Sequence, residues 1–364
     1  MALESPKTGS GLQTRHVFLD TDVYRRYGHN LHDKVLQRLL QLTKDHICTL
    51  HITDITMAEI ERQLRELAAD VAQAVNKGNR LLRNWRSARL QRFGNRPDAP
   101  VDVDASVLAN EALSGFGSFG FIIHHEFNAI THSAFGVPPK AIFDSYFQRK
   151  PPFDKPDSKE FPDAFVIAAL DSWCLQRREK IYVITKDKAM LRAVSQTKVL
   201  LPIATLEDFL ALLVDDPQVI EKVVRIFSSS TWDTVEEKVR DEVAHLGTVY
   251  TGDLHDGEVV DHRPSDGPVE LIDFDVISAS DNQIEVVAKL KAPIEFDVQY
   301  LDTSSAWWDS EDKEYIGGDT ETETLELGTT LSVFLVIDQQ DESIEDVKLL
   351  TRDVNVEESD ETYK

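Results

Sequence analysis

Four acidic residues occupy equivalent places in the predicted elements. Asp20 ends a short apolar strand, Glu59 lies in the first turn of a helix, Asp163 begins another helix, and Asp187 follows a second apolar strand. In an open parallel sheet, the carboxyl ends of strands and the following helix starts share one edge, where ligands bind. We therefore expect these four side chains to converge in one acidic pocket.

Each acid alone has an ordinary structural explanation. A carboxylate at a helix start stabilises the helix by roughly 0.5–2 kcal/mol, and Thr56-Met-Ala-Glu59 fits a capping box. Together, crowded carboxylates repel one another and raise each other's pKa values, so a fold that gathers them needs a compensating cation. Oxygen ligands suit Mg²⁺ or Mn²⁺. Two such ions about 4 Å apart can activate a water and stabilise the leaving oxygen of a phosphodiester.

The elements that would position these acids alternate between strands and helices. Apolar runs predict strands over 16–20, 47–52, 181–185 and 199–203, with helices between them. This order predicts an α/β unit with a parallel sheet and right-handed crossovers. The glycine-rich run 115–120 predicts a loop.

Charge divides the 364 residues into two parts. Residues 1–215 hold 28 Lys and Arg against 26 Asp and Glu, whereas residues 216–364 hold 11 against 38. From residue 248 the hydrophobic period changes to two, which predicts a small all-β, sandwich-like domain. The predicted plan is a mobile tail (1–14), the α/β domain (15–215) with a basic helical insertion (71–158), a helical connector (216–247), an acidic β domain (248–356) and a disordered tail (357–364).

A basic stretch begins inside the predicted insertion. Residues 71–97 contain no acid, and arginine at every third position winds as a broad spiral around a helix. Such a surface can bind a nucleic-acid backbone, but an ordinary solvated helix face would look the same. The candidate nucleic-acid contacts are Arg80, Arg83, Arg86, Arg89 and Lys159.

Several classes of protein are excluded. No run approaches the ~20 apolar residues of a membrane span, and residues 1–14 lack the apolar core of a secretory signal. Cys48 and Cys174 are the two cysteines, and both predict buried reduced thiols in a cytoplasmic protein. We expect no membrane partner.

The predicted acids lie in four short motifs: Phe18-Leu-Asp-Thr-Asp22, Met57-Ala-Glu59-Ile, Asp163-Ala-Phe-Val-Ile-Ala-Ala-Leu170 and Ile184-Thr-Lys-Asp187. These motifs occur in the order and context of PIN-domain nucleases, which this chain resembles over roughly residues 15–210. The run Lys159-Glu-Phe-Pro-Asp163-Ala is similar to the larger bacterial PIN-like subgroup, whose members carry a long insertion before the third acid.

The resemblance implies hydrolysis of phosphodiester bonds, usually of RNA, with Mg²⁺ or Mn²⁺ as cofactor. Asp20, Glu59, Asp163 and Asp187 become the metal ligands and catalytic acids, and Asp22 an outer ligand. Thr185 would support the last carboxylate or contact phosphate. Many PIN domains carry a further acid shortly after the fourth, where this chain has Lys188-Ala-Met190. Asp171 either compensates for it or is an ordinary helix-surface acid.

The expected function is a metal-dependent endoribonuclease that acts on single-stranded or looped RNA. Family analogy alone suggests a role as a toxin or phage-defence effector, because fold does not decide function. Two alternatives stay open: a structure-specific DNA nuclease, and a catalytically silent PIN-like scaffold or partner-activated subunit. A protein partner of the acidic C-terminal domain and oligomer formation also stay open.

Overall fold

The structure, a computed structural model, describes residues 12–89, 105–155, 158–214, 216–309 and 314–357. Two compact units divide the chain. The N-terminal unit runs from Leu12 to Phe209, and the C-terminal unit contains the described residues from Leu210 onwards. The predicted boundary at 215 lies six residues beyond this division.

A five-stranded parallel sheet forms the centre of the N-terminal unit, in the order β3-β2-β1-β4-β5. Its inner strands β1 and β4 are buried along their whole length, as expected for a parallel sheet covered on both faces. This confirms the predicted α/β class. The strands are β1 (His16–Leu19), β2 (Thr49–Thr53), β3 (Ile130–His132), β4 (Ile181–Ile184) and β5 (Leu200–Ile203).

Helices connect and flank these strands. Their bounds are α1 (Thr21–Arg26), α2 (Lys34–Lys44), α3 (Asp54–Arg89), α4 (Ala105–Phe121), α5 (Pro139–Phe147), α6 (Phe161–Arg177), α7 (Lys188–Val194) and α8 (Leu206–Ala211). A π-helical turn (Ile122–Glu126) and a 3₁₀ turn (Ala134–Gly136) join them.

The start of α3 differs from the sequence prediction. The helix begins at Asp54, and the Thr53 hydroxyl accepts the Thr56 N–H at 3.0 Å. Thr56 therefore lies inside the helix and does not cap it. Glu59 follows the first turn, and its carboxylate is left for other contacts.

The predicted insertion contains two features that the sequence pattern did not reveal. Residues 115–120, predicted as a loop, lie within α4, which packs against α3. Tertiary packing here outweighs the low helix propensity of glycine. The strand β3 extends the central sheet by pairing with β2, so the insertion is not wholly helical.

Two residues of the predicted N-terminal tail form hydrogen bonds with residues in or beside β4. The Gln13 N–H donates to the Tyr182 hydroxyl, and the Thr14 hydroxyl donates to the Lys180 carbonyl. These two residues were predicted to belong to a mobile tail. The rest of that tail, residues 1–11, and most of the predicted C-terminal tail, residues 358–364, lie outside the described residues.

The C-terminal unit is built on an antiparallel sheet of order β13-β12-β9-β7, with β8 also pairing with β9. β9 and β12 pair over 20 residues. This confirms a separate β unit. The strands are β6 (Gly247–Tyr250), β7 (Glu258–Pro264), β8 (Glu270–Ala279), β9 (Gln283–Asp302), β10 (Trp307–Asp309), β11 (Glu314–Ile316), β12 (Asp319–Asp338), β13 (Ile344–Leu349) and β14 (Asp353–Val356).

Two helices contribute to the core of this unit. α9 (Pro217–Phe227) and α10 (Thr231–Val243) bury Val223, Ile226 and Val239 against the inward side chains of β9 and β12. The segment predicted as a connector is thus part of the C-terminal core. Among the described residues, no helix combines the length and apolar character needed to cross a membrane.

Candidate active site at the carboxyl edge of the sheet

The loops after β1 and β4 are joined by one buried hydroxyl. The Thr185 Oγ1 donates to the Asp20 Oδ2 at 2.7 Å and accepts the Asp187 N–H at 3.0 Å. The other Asp20 oxygen accepts the Thr21 N–H at 2.7 Å. Because β1 and β4 are adjacent parallel strands, their carboxyl ends place these two predicted acids side by side.

Asp22 strengthens the same junction. Its Oδ2 accepts the Lys186 N–H at 2.8 Å, across the two loops. Its Oδ1 is buried, and it has no hydrogen-bond partner among the described residues. A buried carboxylate oxygen without a partner is costly unless a cation or donor satisfies it.

Glu59 reaches the site from α3. Burial raises its pKa, as does the nearby Glu160 carboxylate, while a hydrogen bond with Thr21 and the charge of Arg62 oppose the shift. Thr21 directly follows Asp20, so Glu59 lies beside the loop after β1.

Asp163, in the first turn of α6, has the most strongly shifted carboxyl of the group. Burial, and then the charges of Asp20, Glu160, Glu59 and Asp187, raise its pKa to about 8. These neighbours come from four separate parts of the chain. The structure therefore brings the other three predicted acids within electrostatic reach of Asp163.

Asp20 shows the same effect. Burial and the Asp22 and Glu59 carboxylates raise its pKa to about 6, although the hydrogen bonds from Thr185 and Thr21 act against the shift. Carboxyl groups whose pKa is raised by burial and by neighbouring carboxylates are a common feature of functional sites.

The donor chemistry fits a hard divalent cation. The site offers carboxylate oxygens, one of them buried without a partner, and Mg²⁺ and Mn²⁺ prefer such ligands. Within the described residues, no group of three or more His, Cys, Asp or Glu side chains is already gathered at metal-binding distance. The acids are therefore neighbours that would have to adjust their side chains to share an ion.

Two further acids take different places. Glu160, which the sequence analysis did not select, acts on both Asp163 and Glu59. Its position three residues before Asp163 in the quoted motif was the available signal. Asp171 lies beside Cys174, whose pKa it helps to raise, and it is not among the charges that act on Asp163.

The predicted nucleic-acid contacts are widely dispersed. Lys159 is exposed four residues before Asp163. Arg80 is also exposed, but it lies 21 residues beyond Glu59 on the same helix, which is about 32 Å along the axis. Thr185 is buried, which favours its supporting role over contact with phosphate.

The remaining arginines cannot be placed as side chains. Arg83, Arg86 and Arg89 continue α3, but their side chains lie outside the described part of the structure. The helix axis nevertheless carries them further from the acids than Arg80. The part of the basic stretch that lies on α3 therefore runs away from Glu59 along the helix.

A row of three buried histidines crosses the same sheet and was not anticipated. The His16 Nδ1 lies 2.9 Å from the His51 Nε2, and the His51 Nδ1 lies 2.7 Å from the His132 Nε2. The Trp173 ring packs edge-on against all three. Burial lowers the pKa of His51 to about 2 and that of His132 to about 4.

The N-terminal unit thus belongs to the open parallel α/β proteins whose site lies at the carboxyl ends of the strands. A family model described as a PIN domain matches residues 17–190, and the parallel sheet flanked by helices fits the fold of that family. PIN domains are generally metal-dependent nucleases, commonly acting on RNA. A comparison with curated proteins and one with solved structures found no match.

Proposed function

We propose that the N-terminal unit is a metal-dependent endoribonuclease that acts on single-stranded or looped RNA. The observation that carries the proposal is the meeting of Asp20, Glu59, Asp163 and Asp187 at one edge of the sheet of a PIN domain. Mutual repulsion among these acids is a cost to the fold that a cation would offset.

Asp20, Asp22, Glu59, Asp163 and Asp187 would hold Mg²⁺ or Mn²⁺. When bound, such an ion would activate a water and stabilise the charge on the leaving oxygen of a phosphodiester. Attack of water on phosphorus with cleavage of the bond to the 3′-oxygen would give products with a 5′-phosphate and a 3′-hydroxyl.

Other residues of the chain orient and bind. Thr185 holds the Asp20 carboxylate and the Asp187 backbone in fixed relation through two hydrogen bonds. Lys159, exposed close to Asp163, would bind a phosphate beside the cut bond. The arginines of α3 would contact RNA further along the strand, and each phosphate contact would add to the salt dependence of binding.

A cleavage assay tests the proposal. Single-stranded RNA and DNA of one sequence are incubated with Mn²⁺ or Mg²⁺ and the full chain, with EDTA as the metal-free arm. Asp163→Asn should lose at least about 100-fold in rate, as expected for loss of a group that stabilises the transition state. Asp171→Asn, on the same helix, is the matched control and should cut like the wild type.

Other outcomes would change the assignment. Preferential cutting of DNA would support the alternative of a structure-specific DNA nuclease. Failure to cut either strand, together with failure to bind Mn²⁺, would support the catalytically silent scaffold. That alternative is motivated by Lys188-Ala-Met190, which occupies the place where many PIN domains carry a further acid. A circular RNA that is opened would establish an internal cut.

The biological setting rests on analogy. A toxin or phage-defence effector should arrest growth of the host cell when expressed, and Asp163→Asn should relieve the arrest. The acidic C-terminal unit would repel free nucleic acid, so a protein partner that regulates the nuclease is its proposed ligand.

A further inference from the structure

Two phenylalanine rings on α5 are exposed beside the candidate active site. Phe143 is 47 % exposed and Phe147 is 76 % exposed. Their ring centroids lie 6.4 Å apart in a stacked arrangement, and the Phe143 ring lies 5.5 Å from that of Phe161. Large apolar side chains of this kind are usually buried, so two neighbouring rings that are exposed indicate a surface that binds a ligand.

The row of aromatic rings ends on α6, the helix that carries Asp163. Phe161 is the first residue of α6, and Asp163 lies in the same helical turn. The row of rings Phe147, Phe143 and Phe161 therefore ends at the helix start that carries the acid with the most neighbours. A strand bound along these rings would therefore lie near the first turn of α6.

Buried aromatic residues support the exposed ones. The Phe153 side chain is fully buried, and its ring lies 4.9 Å from Phe161 and 5.4 Å from Tyr146. Tyr146 in turn packs edge-on against Phe147. The exposed rings are thus held on a packed base, which lowers the entropy lost when a ligand stacks on them.

Positive charge is concentrated in the same stretch of the chain. Five exposed cations lie within residues 140–159, and none of them forms an ion pair within the described residues: Lys140, Arg149, Lys150, Lys155 and Lys159. Among the nearby acids, Asp154 is bound to Arg192, Glu160 faces the carboxylate cluster, and Asp144 is exposed. Bare rings between cations fit a ligand with flat bases on an anionic backbone.

We propose that Phe143 and Phe147 form a stacking platform for the bases of a single-stranded nucleic acid, with the flanking cations on its phosphates. This inference rests on the proposed function and specifies its substrate. The platform needs unpaired bases, because bases inside a duplex are already stacked on one another. A sequence-tolerant preference for single strands over duplexes follows.

The test measures binding by fluorescence anisotropy of a labelled single-stranded RNA, with the full chain in EDTA so that no cutting occurs. Phe143→Ala and Phe147→Ala should each weaken binding at least 5-fold. Phe147→Trp should retain or improve affinity, whereas Phe147→Leu, which keeps apolar bulk without a ring, should not. Trp307→Ala, an exposed ring of the C-terminal unit, is the matched control and should bind like the wild type.

Three probes separate the outcomes. A DNA strand of the same sequence should respond to the same substitutions, because every base offers a stacking face. An abasic strand with the same backbone should bind more weakly and ignore the phenylalanine substitutions. A duplex should compete poorly.

Equal binding of the abasic and normal strands would overturn the platform, as would unchanged affinity in both alanine variants. Self-association that disappears in the variants, without any binding of nucleic acid, would also overturn it and point to a protein interface. If the wild type binds through the rings but never cuts with metal, the platform stands and the nuclease assignment falls. If the wild type cuts with metal but the phenylalanine substitutions do not change binding, the nuclease assignment stands and the platform falls.

Discussion

At the scale of single residues, the acids of the site lie close enough together for their negative charges to repel one another. Burial and four neighbouring carboxylates raise the pKa of Asp163 to about 8, so without a cation this carboxyl holds a proton at neutral pH. Metal binding must displace that proton, which couples affinity to pH.

Asp163 should therefore lower the stability of the metal-free N-terminal unit as pH rises from about 4 to 8, and above about pH 6.5 the buried histidines do not offset this loss. The folded state keeps a proton on Asp163 that the unfolded state has already released, at a cost of up to about 1.4 kcal/mol per pH unit. Thermal unfolding at several pH values in EDTA measures this slope. Asp163→Asn should flatten it, and Mn²⁺ should stabilise the wild type more at pH 8 than at pH 6.5.

The histidine row should act in the opposite direction and in a lower range. His51 and His132 stay neutral in the folded state because burial depresses their pKa values, whereas the unfolded state protonates them below about pH 6.5. The contribution of these neutral histidines to stability is fully present above that pH and is lost as pH drops towards 4. His16, at one end of the row, faces Glu179 and Arg15.

His51→Gln should make this acid-side loss shallower by up to about 1.4 kcal/mol per pH unit relative to the wild type. Chemical denaturation between pH 4 and 6.5 provides the comparison. The exposed His124 supplies the control, since His124→Gln should retain the wild-type slope. An unchanged slope in His51→Gln would show that the buried row does not titrate on unfolding.

At the scale of elements, the site depends on parallel strands that end together. β1 and β4 are neighbours, so a single hydroxyl on the loop after β4 can hold an acid on the loop after β1. The Thr185 side chain is buried and its hydroxyl forms two hydrogen bonds, which makes Thr185 a positioning residue.

Thr185→Val keeps the shape of the side chain but removes both hydrogen bonds. The Asp20 carboxylate loses a charged-group hydrogen bond, and we expect at least about a 10-fold loss of cleavage rate. Thr185→Ser restores the hydroxyl and should recover most of the rate. A parallel Mn²⁺ titration is compared with a thermal unfolding curve, because general unfolding would remove the unfolding transition as well as metal binding, whereas a displaced ligand would affect only binding.

At the scale of the whole molecule, two units with separate cores differ in charge, because the N-terminal part of the chain is close to neutral and the C-terminal part is strongly acidic. The sheet of the N-terminal unit is covered by its own helices, and α9 and α10 join the core of the C-terminal unit. Each core can therefore be perturbed separately.

Calorimetry should resolve this division. Ile226→Ala removes a buried side chain of α9 and should destabilise the C-terminal unit by roughly 2–5 kcal/mol, whereas Mn²⁺ should raise the transition of the N-terminal unit. Ile272→Ala, at a site that is 49 % exposed, should change little. A single transition that moves equally in response to both perturbations would contradict the separation.

The sequence by itself determined the α/β class, the helix start at Asp187, a helix start within two residues of Asp163, and the β unit, because hydrophobic period and local capping are properties of neighbouring residues. It could not place the basic stretch, since only the continuous α3 shows that Arg80 lies far from Glu59.

Only the tertiary structure decided the contacts between distant segments. The pairing of β3 with β2, the packing of α4 and the aromatic row of α5 depend on residues far apart in the chain. The unpartnered oxygen of Asp22 and the histidine row have the same origin. Their energies come from burial and mutual approach, which no local pattern of residue types encodes.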